Sequence, residues 1–191
     1  MNYKQLPSTA EIEQELKREQ YKRRYKRTMK STVFALITAA AVAVLVATLW
    51  MPVLRIFGTS MAPTLEEGEI VIAVKDKNLE VGDIIAFYYG NKVLIKRFIA
   101  GSGSWVDVRE DGTIFVDGKE LDEPYLSKKA FGISDLEYPY QVTEGTYFLV
   151  GDERDTSVDS RHSSVGCVDD EQIVGKIVYR VWPFEVFGVV K

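Results

Sequence analysis

Hydrophobic and polar positions divide the chain into three stretches of different character. Residues 1–30 are polar and rich in charge, whereas residues 31–54 contain no charged side chain in 24 positions. From residue 69 onward, short apolar runs alternate with glycine, proline and polar residues. The pattern therefore predicts a polar helix, a long apolar helix and a region of short strands.

The apolar stretch is long enough to cross a membrane. A helix of this length rises about 36 Å at roughly 1.5 Å per residue, which exceeds a hydrocarbon core of about 30 Å. A cleaved signal sequence has a shorter apolar region and ends at small residues, whereas this stretch ends in Leu49-Trp50-Met51-Pro52. We interpret residues 31–54 as an uncleaved signal-anchor that spans the bilayer once.

The polar stretch before the anchor carries two further signals. Ser8 and Glu11 have the spacing of a capping box, which predicts a helix start. Between Lys17 and Lys30, eight lysines and arginines face only one acidic residue, Glu19. A solvated helix face or an arm that binds nucleic acid has a similar composition. Because the cluster directly precedes the anchor, we interpret residues 1–30 as a basic cytoplasmic tail that sets the topology.

The remainder, residues 55–191, has the pattern of a mainly β domain. Its short runs and turn residues predict a folded-over antiparallel sheet or a barrel. Because the anchor precedes this domain and the basic tail is interpreted as cytoplasmic, we expect the domain to lie outside the cytoplasm. Residues 119–141, which include Pro124 and Pro139, are expected to form an irregular excursion. The predicted strands are Ile70–Val74, Ile84–Tyr89, Val93–Ala100, Trp105–Val108, Thr113–Val116, Thr146–Val150 and Ile173–Trp182.

Charge and cysteine content narrow the function. Residues 1–54 hold nine Lys and Arg against four Asp and Glu, a net charge of +5, and residues 55–191 hold 15 against 24, a net charge of −9. An acidic domain argues against nucleic acid as its partner. Cys167 is the only cysteine, so no internal disulfide can form, and we expect it to be a small buried side chain.

The first candidate for chemistry is Ser60, in the segment from Gly58 to Leu65. Pro63 restricts the backbone here and Gly58 relaxes it, so a turn is expected. Taken alone, the segment is typical of a linker between an anchor and a domain.

Lys96 is the second candidate. Strand alternation places it on one face with Leu94 and Phe98. The ordinary interpretation is an edge strand that carries a charge to prevent aggregation. If the amine is buried instead, desolvation lowers its pKa and lets it accept a proton from a hydroxyl.

The third candidate is the polar segment from Gly151 to Arg161. In extended backbone, Ser157, Asp159 and Arg161 would share a face and could form hydrogen bonds or an ion pair. The alternatives are a solvated loop and a triad of Ser60, Asp159 and His162. The alternation that points Arg161 one way points His162 the other, which disfavours the triad.

Together these segments resemble the bacterial type I signal peptidases, membrane-bound serine proteases with a Ser-Lys dyad. The resemblance runs in order from about Ser31 to the C-terminus. Its motifs are Gly58-x-Ser60-Met61-x-Pro63-Thr64-Leu65, Gly82-Asp83-Ile84-Ile85-Ala86-Phe87, Lys96-Arg97, Gly151-Asp152-x-Arg154-x-x-Ser157-x-Asp159-Ser160-Arg161 with Gly166, Ile173-x-Gly175-Lys176 and Trp182-Pro183.

The resemblance implies a role for each matching residue. Ser60 would be the nucleophile, with its N–H stabilising the oxyanion, and neutral Lys96 the general base. Ser157 would orient the amine, and Asp159 with Arg161 would hold the loop. Shallow apolar pockets for small substrate residues would be lined by Ile56, Met61, Leu65 and Ile95. No metal or cofactor is implied.

The resemblance also implies a function and a location. The chain would remove signal peptides from preproteins at the outer face of the bacterial cytoplasmic membrane, with the lipid bilayer and the preprotein as partners. Ala100-Gly101-Ser102-Gly103-Ser104 and Glu153 depart from the usual family pattern, and the spacing from Arg161 to Gly166 is longer. An impaired relative that helps to assemble surface proteins is therefore an alternative. A repressor-type Ser-Lys autoprotease is disfavoured by the anchor and by the lack of a DNA-binding helical domain.

Overall fold

The computed structural model describes residues 8–76 and 78–190, and the remainder of the predicted tail, residues 1–7, lies outside them. Helix α1 runs from Thr9 to Trp50 without a break. The Ser8 N–H donates to the Glu11 carboxylate at 2.8 Å, and the Glu11 N–H donates to the Ser8 hydroxyl at 3.3 Å. The capping box predicted from the sequence is confirmed.

The apolar part of α1 is exposed along its whole length. No residue of α1 is buried, and large side chains such as Phe34 and Leu36 are 72% and 65% exposed. By length and composition, α1 is the one described helix that could cross a membrane. A bilayer would cover this surface and leave every backbone hydrogen bond of the helix intact.

Helix α1 ends four residues before the predicted end of the anchor at Leu54. Pro52 disfavours helical backbone at the residue before it, and its carbonyl accepts a hydrogen bond from the Ala73 N–H at 2.9 Å. The next residues form strand β1, Val53–Arg55. The chain forms two compact units, one ending at Ala47 and one beginning at Thr48.

The larger of two sheets has eight strands, all paired antiparallel, in the order β1-β2-β11-β3-β4-β9-β10, with β12 beside β11. This confirms the mainly β, antiparallel fold class. Besides β1, the strands are β2 (Ile70–Val74), β3 (Ile84–Tyr89), β4 (Lys92–Ala100), β9 (Thr146–Val150), β10 (Val168–Asp169), β11 (Ile173–Trp182) and β12 (Gly188–Val189).

A smaller sheet of four strands has the order β7-β6-β5-β8. Its outer strands come from the stretch that the sequence predicted as irregular, so the two ends of that excursion are paired. The strands are β5 (Trp105–Val108), β6 (Ile114–Val116), β7 (Lys119–Glu120) and β8 (Tyr140–Gln141). Two short 3-10 helices, Asp170–Gln172 and Phe184–Val186, precede and follow β11.

Strand β4 has one edge that is only half paired. Strand β3 pairs with it from Lys92 to Arg97, whereas β9 pairs with it only from Arg97 to Ala100. Within the described part of the chain, the second edge of residues 92–96 is open. Lys96 stands where this open edge ends and is only 3% exposed. The interpretation of Lys96 as a solvated charge on an edge strand is therefore wrong.

The apolar interior forms three clusters. The first packs the segment after Ser60 against the large sheet, and it includes Met61 and Leu65. Burying such a side chain stabilises the fold by about 1.5–3 kcal/mol. The second cluster joins the two sheets through Ile99, Ile114 and Phe148. The third contains Phe87 and Leu149.

We expect Phe148→Ala to lower the free energy of unfolding by about 3–5 kcal/mol, because it leaves a cavity between the two sheets. Phe184, which is 73% exposed, provides the control. Phe184→Ala should change stability by less than about 1 kcal/mol. Chemical denaturation of the full chain in detergent measures both. Equal losses for the two variants would contradict the assignment of this core.

Candidate active site

The segment that carries Ser60 is held in place by two side chains that are buried in the core. Met61 and Leu65 are buried in the first cluster, and the Leu65 N–H donates to the Met61 carbonyl at 2.8 Å. Ser60 itself is partly exposed. Among residues 8–76 and 78–190, neither its hydroxyl nor its backbone N–H makes a hydrogen bond. Both groups therefore remain available to a substrate.

The amine of Lys96 is buried without a counter-ion in contact. No hydrogen bond or ion pair of this amine occurs among the described residues. Burial lowers the pKa of Lys96 from 10.5 to about 8, against the opposing charges of Asp159 and Asp152 and with the help of Arg161. About a tenth of the amine is therefore neutral at pH 7, against fewer than about one in a thousand for a lysine that keeps its ordinary pKa.

Strand register brings Ser60 and Lys96 to the same short segment. Arg97, the neighbour of Lys96, lies opposite Val150 across the β4–β9 pair. Three residues further on, the Glu153 N–H donates to the Ser60 carbonyl at 3.1 Å. Lys96 and Ser60 thus both flank the segment from Gly151 to Glu153.

Gly151 is required at the centre of this segment. A Cβ placed there would collide with the Ser157 hydroxyl and with the Ser60 carbonyl. The Ser157 hydroxyl and the Ser60 carbonyl thus both pack against the Cα atom of Gly151. Ser157 is 1% exposed, and its hydroxyl has no hydrogen-bond partner in the described part of the chain. A buried hydroxyl without a partner costs about 1–3 kcal/mol, so it marks a position where a further polar group is expected.

Asp159 and Arg161 form a buried, bidentate ion pair. The Nε and Nη2 atoms of Arg161 donate to the two carboxylate oxygens at 2.9 Å each, and the Gly151 N–H donates to the same carboxylate at 2.9 Å. Burial acts to raise the pKa of Asp159, but Arg161 and the Gly151 N–H together lower it. The sequence predicted this pairing. The Ser157 carbonyl lies 3.4 Å from Arg161 Nη2, and the Ser157 side chain lies close enough to Asp159 to help lower the pKa of that carboxyl.

A second buried pair was not among the predicted site residues. Arg97 donates to both oxygens of Asp152, from Nε at 2.8 Å and from Nη2 at 2.6 Å. The Thr64 hydroxyl donates to the same carboxylate at 2.6 Å. The pair therefore ties the Ser60 segment to the strand of Lys96. Arg97, Asp152 and Thr64 all stand in the motifs of the resemblance, but the sequence did not indicate that the three side chains meet.

A small cavity of about 70 Å³ lies beside Ser60, and Ile56, Met61 and Ile95 line part of it. Leu65 was also predicted to line these pockets. It is fully buried in the core cluster that contains Ile56 and Met61, and it is not among the residues that line this cavity.

A groove of about 610 Å³ shares lining residues with this cavity. Its two walls are β1 with Phe57 and the open edge of β4. The combined space can take an extended peptide whose end reaches Ser60.

His162 does not belong to this site. Its Nδ1 lies 2.8 Å from the Ser164 hydroxyl, and its Nε2 lies 3.9 Å from Asp135. Asp159, the third member of the alternative triad, is bound to Arg161 instead. The triad interpretation is therefore wrong. Cys167 is partly buried, with its sulfur 3.8 Å from the Tyr140 hydroxyl.

Residues 28–182 match the family model described as "Signal peptidase, peptidase S26". The chain is 37% identical over 152 residues to signal peptidase IB of Staphylococcus aureus (strain Mu50 / ATCC 700699), a match that covers 69% of this chain and 78% of that protein. It is 36% identical over 148 residues to signal peptidase I of Bacillus caldolyticus, covering 69% and 79% of the two chains.

A solved signal peptidase I from Enterococcus faecalis V583 is 32% identical. The superposition covers 52% of this chain and 97% of that one, with a TM-score of 0.42.

The buried amine predicts an unusual dependence of stability on pH. The pKa of Lys96 lies below its ordinary value in the folded state, so the unfolded chain binds the extra proton between about pH 8 and 10.5. Stability therefore rises with pH in that window, by roughly 3 kcal/mol in all. Lys96→Met removes the buried charge, so at pH 7 the variant should be at least as stable as the parent chain and should lack this rise.

Lys176, whose amine is paired with Asp83 at 2.7 Å, provides the matched lysine control. Lys176→Met loses an ion pair and should gain no stability at pH 7. Chemical denaturation at pH 7 and at pH 10 compares the three chains. A loss of stability in Lys96→Met at pH 7, with the parent's pH dependence retained, would show that the amine is not desolvated.

Proposed function

Because the chain belongs to the signal peptidase family, peptidase S26, we propose that its removal of signal peptides depends on Ser60 as nucleophile and Lys96 as general base. The activity is that of a serine endopeptidase. The observation that carries the assignment of residues is the buried amine of Lys96, which is unpaired among residues 8–76 and 78–190 and lies near the segment that binds the Ser60 carbonyl. Nothing in the described residues favours the alternative of an impaired assembly factor.

The chemistry follows from the state of these two groups. The neutral amine of Lys96 takes the proton of the Ser60 hydroxyl as its oxygen attacks the scissile carbonyl. The oxyanion that forms is stabilised by the free N–H of Ser60. Lys96 then gives the proton to the leaving amine. In the second half of the reaction, the amine activates a water molecule that hydrolyses the acyl-enzyme.

Ser157 is assigned to orient the lysine amine. Within the part of the chain that the structure describes, its buried hydroxyl has no hydrogen-bond partner, and it packs at Gly151 against the backbone of Ser60. The amine of Lys96 is the group that it would bind when Lys96 is neutral and again when Lys96 is charged. Asp159 and Arg161 support this arrangement by holding the Gly151 N–H and the loop that follows.

The groove is assigned to the residues of the signal peptide just before the cut. Strand β1 and the first half of β4 each offer an open edge, so an extended peptide can form backbone hydrogen bonds with both. The cavity lined by Ile56, Met61 and Ile95 is small. It accepts a small side chain and excludes a large one, so we expect cleavage after Ala-x-Ala-like ends.

The apolar part of α1 is assigned to the bilayer, with the tail in the cytoplasm and the catalytic domain outside. The basic residues from Lys17 to Lys30 support this direction. Ser60 follows the end of α1 at Trp50 by only ten residues. Substrate and enzyme are then both anchored in one membrane, which places the cut close to its outer surface.

Ser60→Ala removes the nucleophile, and Lys96→Arg replaces the base with a guanidinium that does not release its proton. Each should lower cleavage of a preprotein by at least about 1,000-fold. The assay incubates the full chain in detergent with a preprotein and identifies the product ends by mass spectrometry. Lys119→Arg, an exposed lysine on β7, is the control and should cleave normally. Full activity in Lys96→Arg would remove Lys96 as the base.

The orientation has its own test. External protease added to intact bacterial spheroplasts should digest residues 55–191 and spare an epitope fused before residue 8, because the basic tail is retained inside. Detergent lysis should expose the epitope. Digestion of the epitope in intact spheroplasts, with the catalytic domain protected, would reverse the assignment.

A further inference from the structure

Two residues of the excursion between β7 and β8, Glu123 and Tyr125, lie in the buried network around the site. We propose that they position the catalytic groups. With Arg97 and Arg154 they form what we call the Tyr125 clamp, which holds the segment from Gly151 to Arg154 against strand β4. The proposal rests on the proposed function, since it assigns a role toward Lys96 and Ser60. Neither residue was predicted from the sequence to act in the site.

The first contact of the clamp is made with the neighbour of Lys96. The Arg97 guanidinium lies 3.7 Å from the centre of the Tyr125 ring. Arg97 is 1% exposed, and its edge is already bound to Asp152. The ring covers the face of the guanidinium, the surface that hydrogen bonds cannot satisfy. Tyr125 thereby restricts Arg97 in the direction that Asp152 leaves free.

The second contact connects the ring to a buried carboxylate. The Tyr125 hydroxyl donates to Glu123 Oε1 at 2.8 Å. Burial, with the nearby charge of Glu123, raises the pKa of Tyr125, so the hydroxyl keeps its proton and remains a donor. Glu123 is itself buried and forms an ion pair with Arg154, at 2.5 Å from Nη2.

The third contact reaches the centre of the site. Arg154 Nε donates to the Gly151 carbonyl at 3.0 Å. Gly151 is the residue against which the Ser60 carbonyl and the Ser157 hydroxyl pack. These contacts form a closed circuit, because Asp152, the residue after Gly151, binds Arg97, where the circuit began. The circuit of contacts therefore passes beside Lys96 at Arg97 and beside Ser60 at Gly151.

This placement separates turnover from substrate binding. The groove is lined by β1 with Phe57 and by residues 92–95 of β4, and no clamp residue is among them. A loosened clamp shifts Gly151, Ser157 and Ser60 relative to Lys96 and leaves the groove walls in place. A misplacement of about 1 Å in reacting groups costs as much as 100-fold in rate. Loss of the clamp should therefore lower kcat and leave KM unchanged.

The experiment compares three variants of the full chain in detergent with a preprotein substrate. Tyr125→Leu removes the ring and the hydroxyl, whereas Tyr125→Phe keeps the ring over Arg97. The matched control is Phe115→Leu, which removes a ring 4.2 Å from Arg109 on the small sheet, away from the site. Thermal unfolding of each variant identifies the temperature at which all are folded, and the kinetics are measured there.

We expect Tyr125→Leu to lower kcat by about 10–100-fold with KM within twofold. Tyr125→Phe should recover most of that loss, and Phe115→Leu should turn over like the parent chain. A normal kcat in Tyr125→Leu would overturn the proposal, and so would an equal loss in Phe115→Leu at matched stability. A loss carried entirely by KM would overturn it as well.

Two further measurements keep the test decisive. If Tyr125→Leu does not fold, Glu123→Gln replaces it, because the amide weakens the link to Arg154 while the ring stays in place; a normal kcat in that variant overturns the clamp. Lys96→Arg is assayed in parallel. Activity in Lys96→Arg would refute the dyad, whereas an inactive Lys96→Arg beside a fully active Tyr125→Leu would refute the clamp alone.

Discussion

The structure depends on one unfavourable placement, the burial of the Lys96 amine with no described residue in contact as a counter-ion. Desolvation lowers the pKa of Lys96 to about 8, which supplies a neutral base near neutral pH at a cost in stability of roughly 3 kcal/mol. The nearest acidic groups could reverse this effect. Asp152 and Asp159 are each bound in two places to an arginine, and neither forms an ion pair with the lysine. The lysine thus stays unpaired although carboxylates lie nearby.

Three buried ion pairs hold the segments that form the site: Arg97 with Asp152, Arg154 with Glu123 and Arg161 with Asp159. A buried pair returns little net stability, because desolvation offsets the attraction between the charges. What these pairs provide is position. Residues 151–167 have no regular secondary structure, so strand hydrogen bonds cannot hold the segment. The arginines supply those bonds instead, by donating to Asp159, to Asp152 and to the carbonyls of Gly151 and Arg154. Residues that carry the chemistry can then lie in a loop and still be fixed.

The sequence predicted the local features well, because alternation, capping and turn residues act over short distances. Strands β2, β3, β5, β9 and β11 have the predicted bounds, and the capping box of α1 is present. The end of α1 was placed too late, because a composition pattern does not show that Val53 and Leu54 pair with β2. The contacts of Arg97, Thr64 and Tyr125 were also missed. They join residues that lie far apart in the chain, and strand alternation cannot indicate which buried charges meet. Lys96 was recognised through its motif, but its burial became evident only from the position of β4 in the sheet.

The proposed mechanism requires Lys96 to act as a neutral amine. The most direct measurement is the pH dependence of kcat/KM for preprotein cleavage by the full chain, which reports the pKa of the free enzyme's base. If Lys96 is the base, kcat/KM rises with pH through an apparent pKa near 8, the value that burial gives to Lys96. A profile that stays flat from about pH 6 to 9, or that rises only at the pKa of an exposed lysine near 10.4, would contradict it.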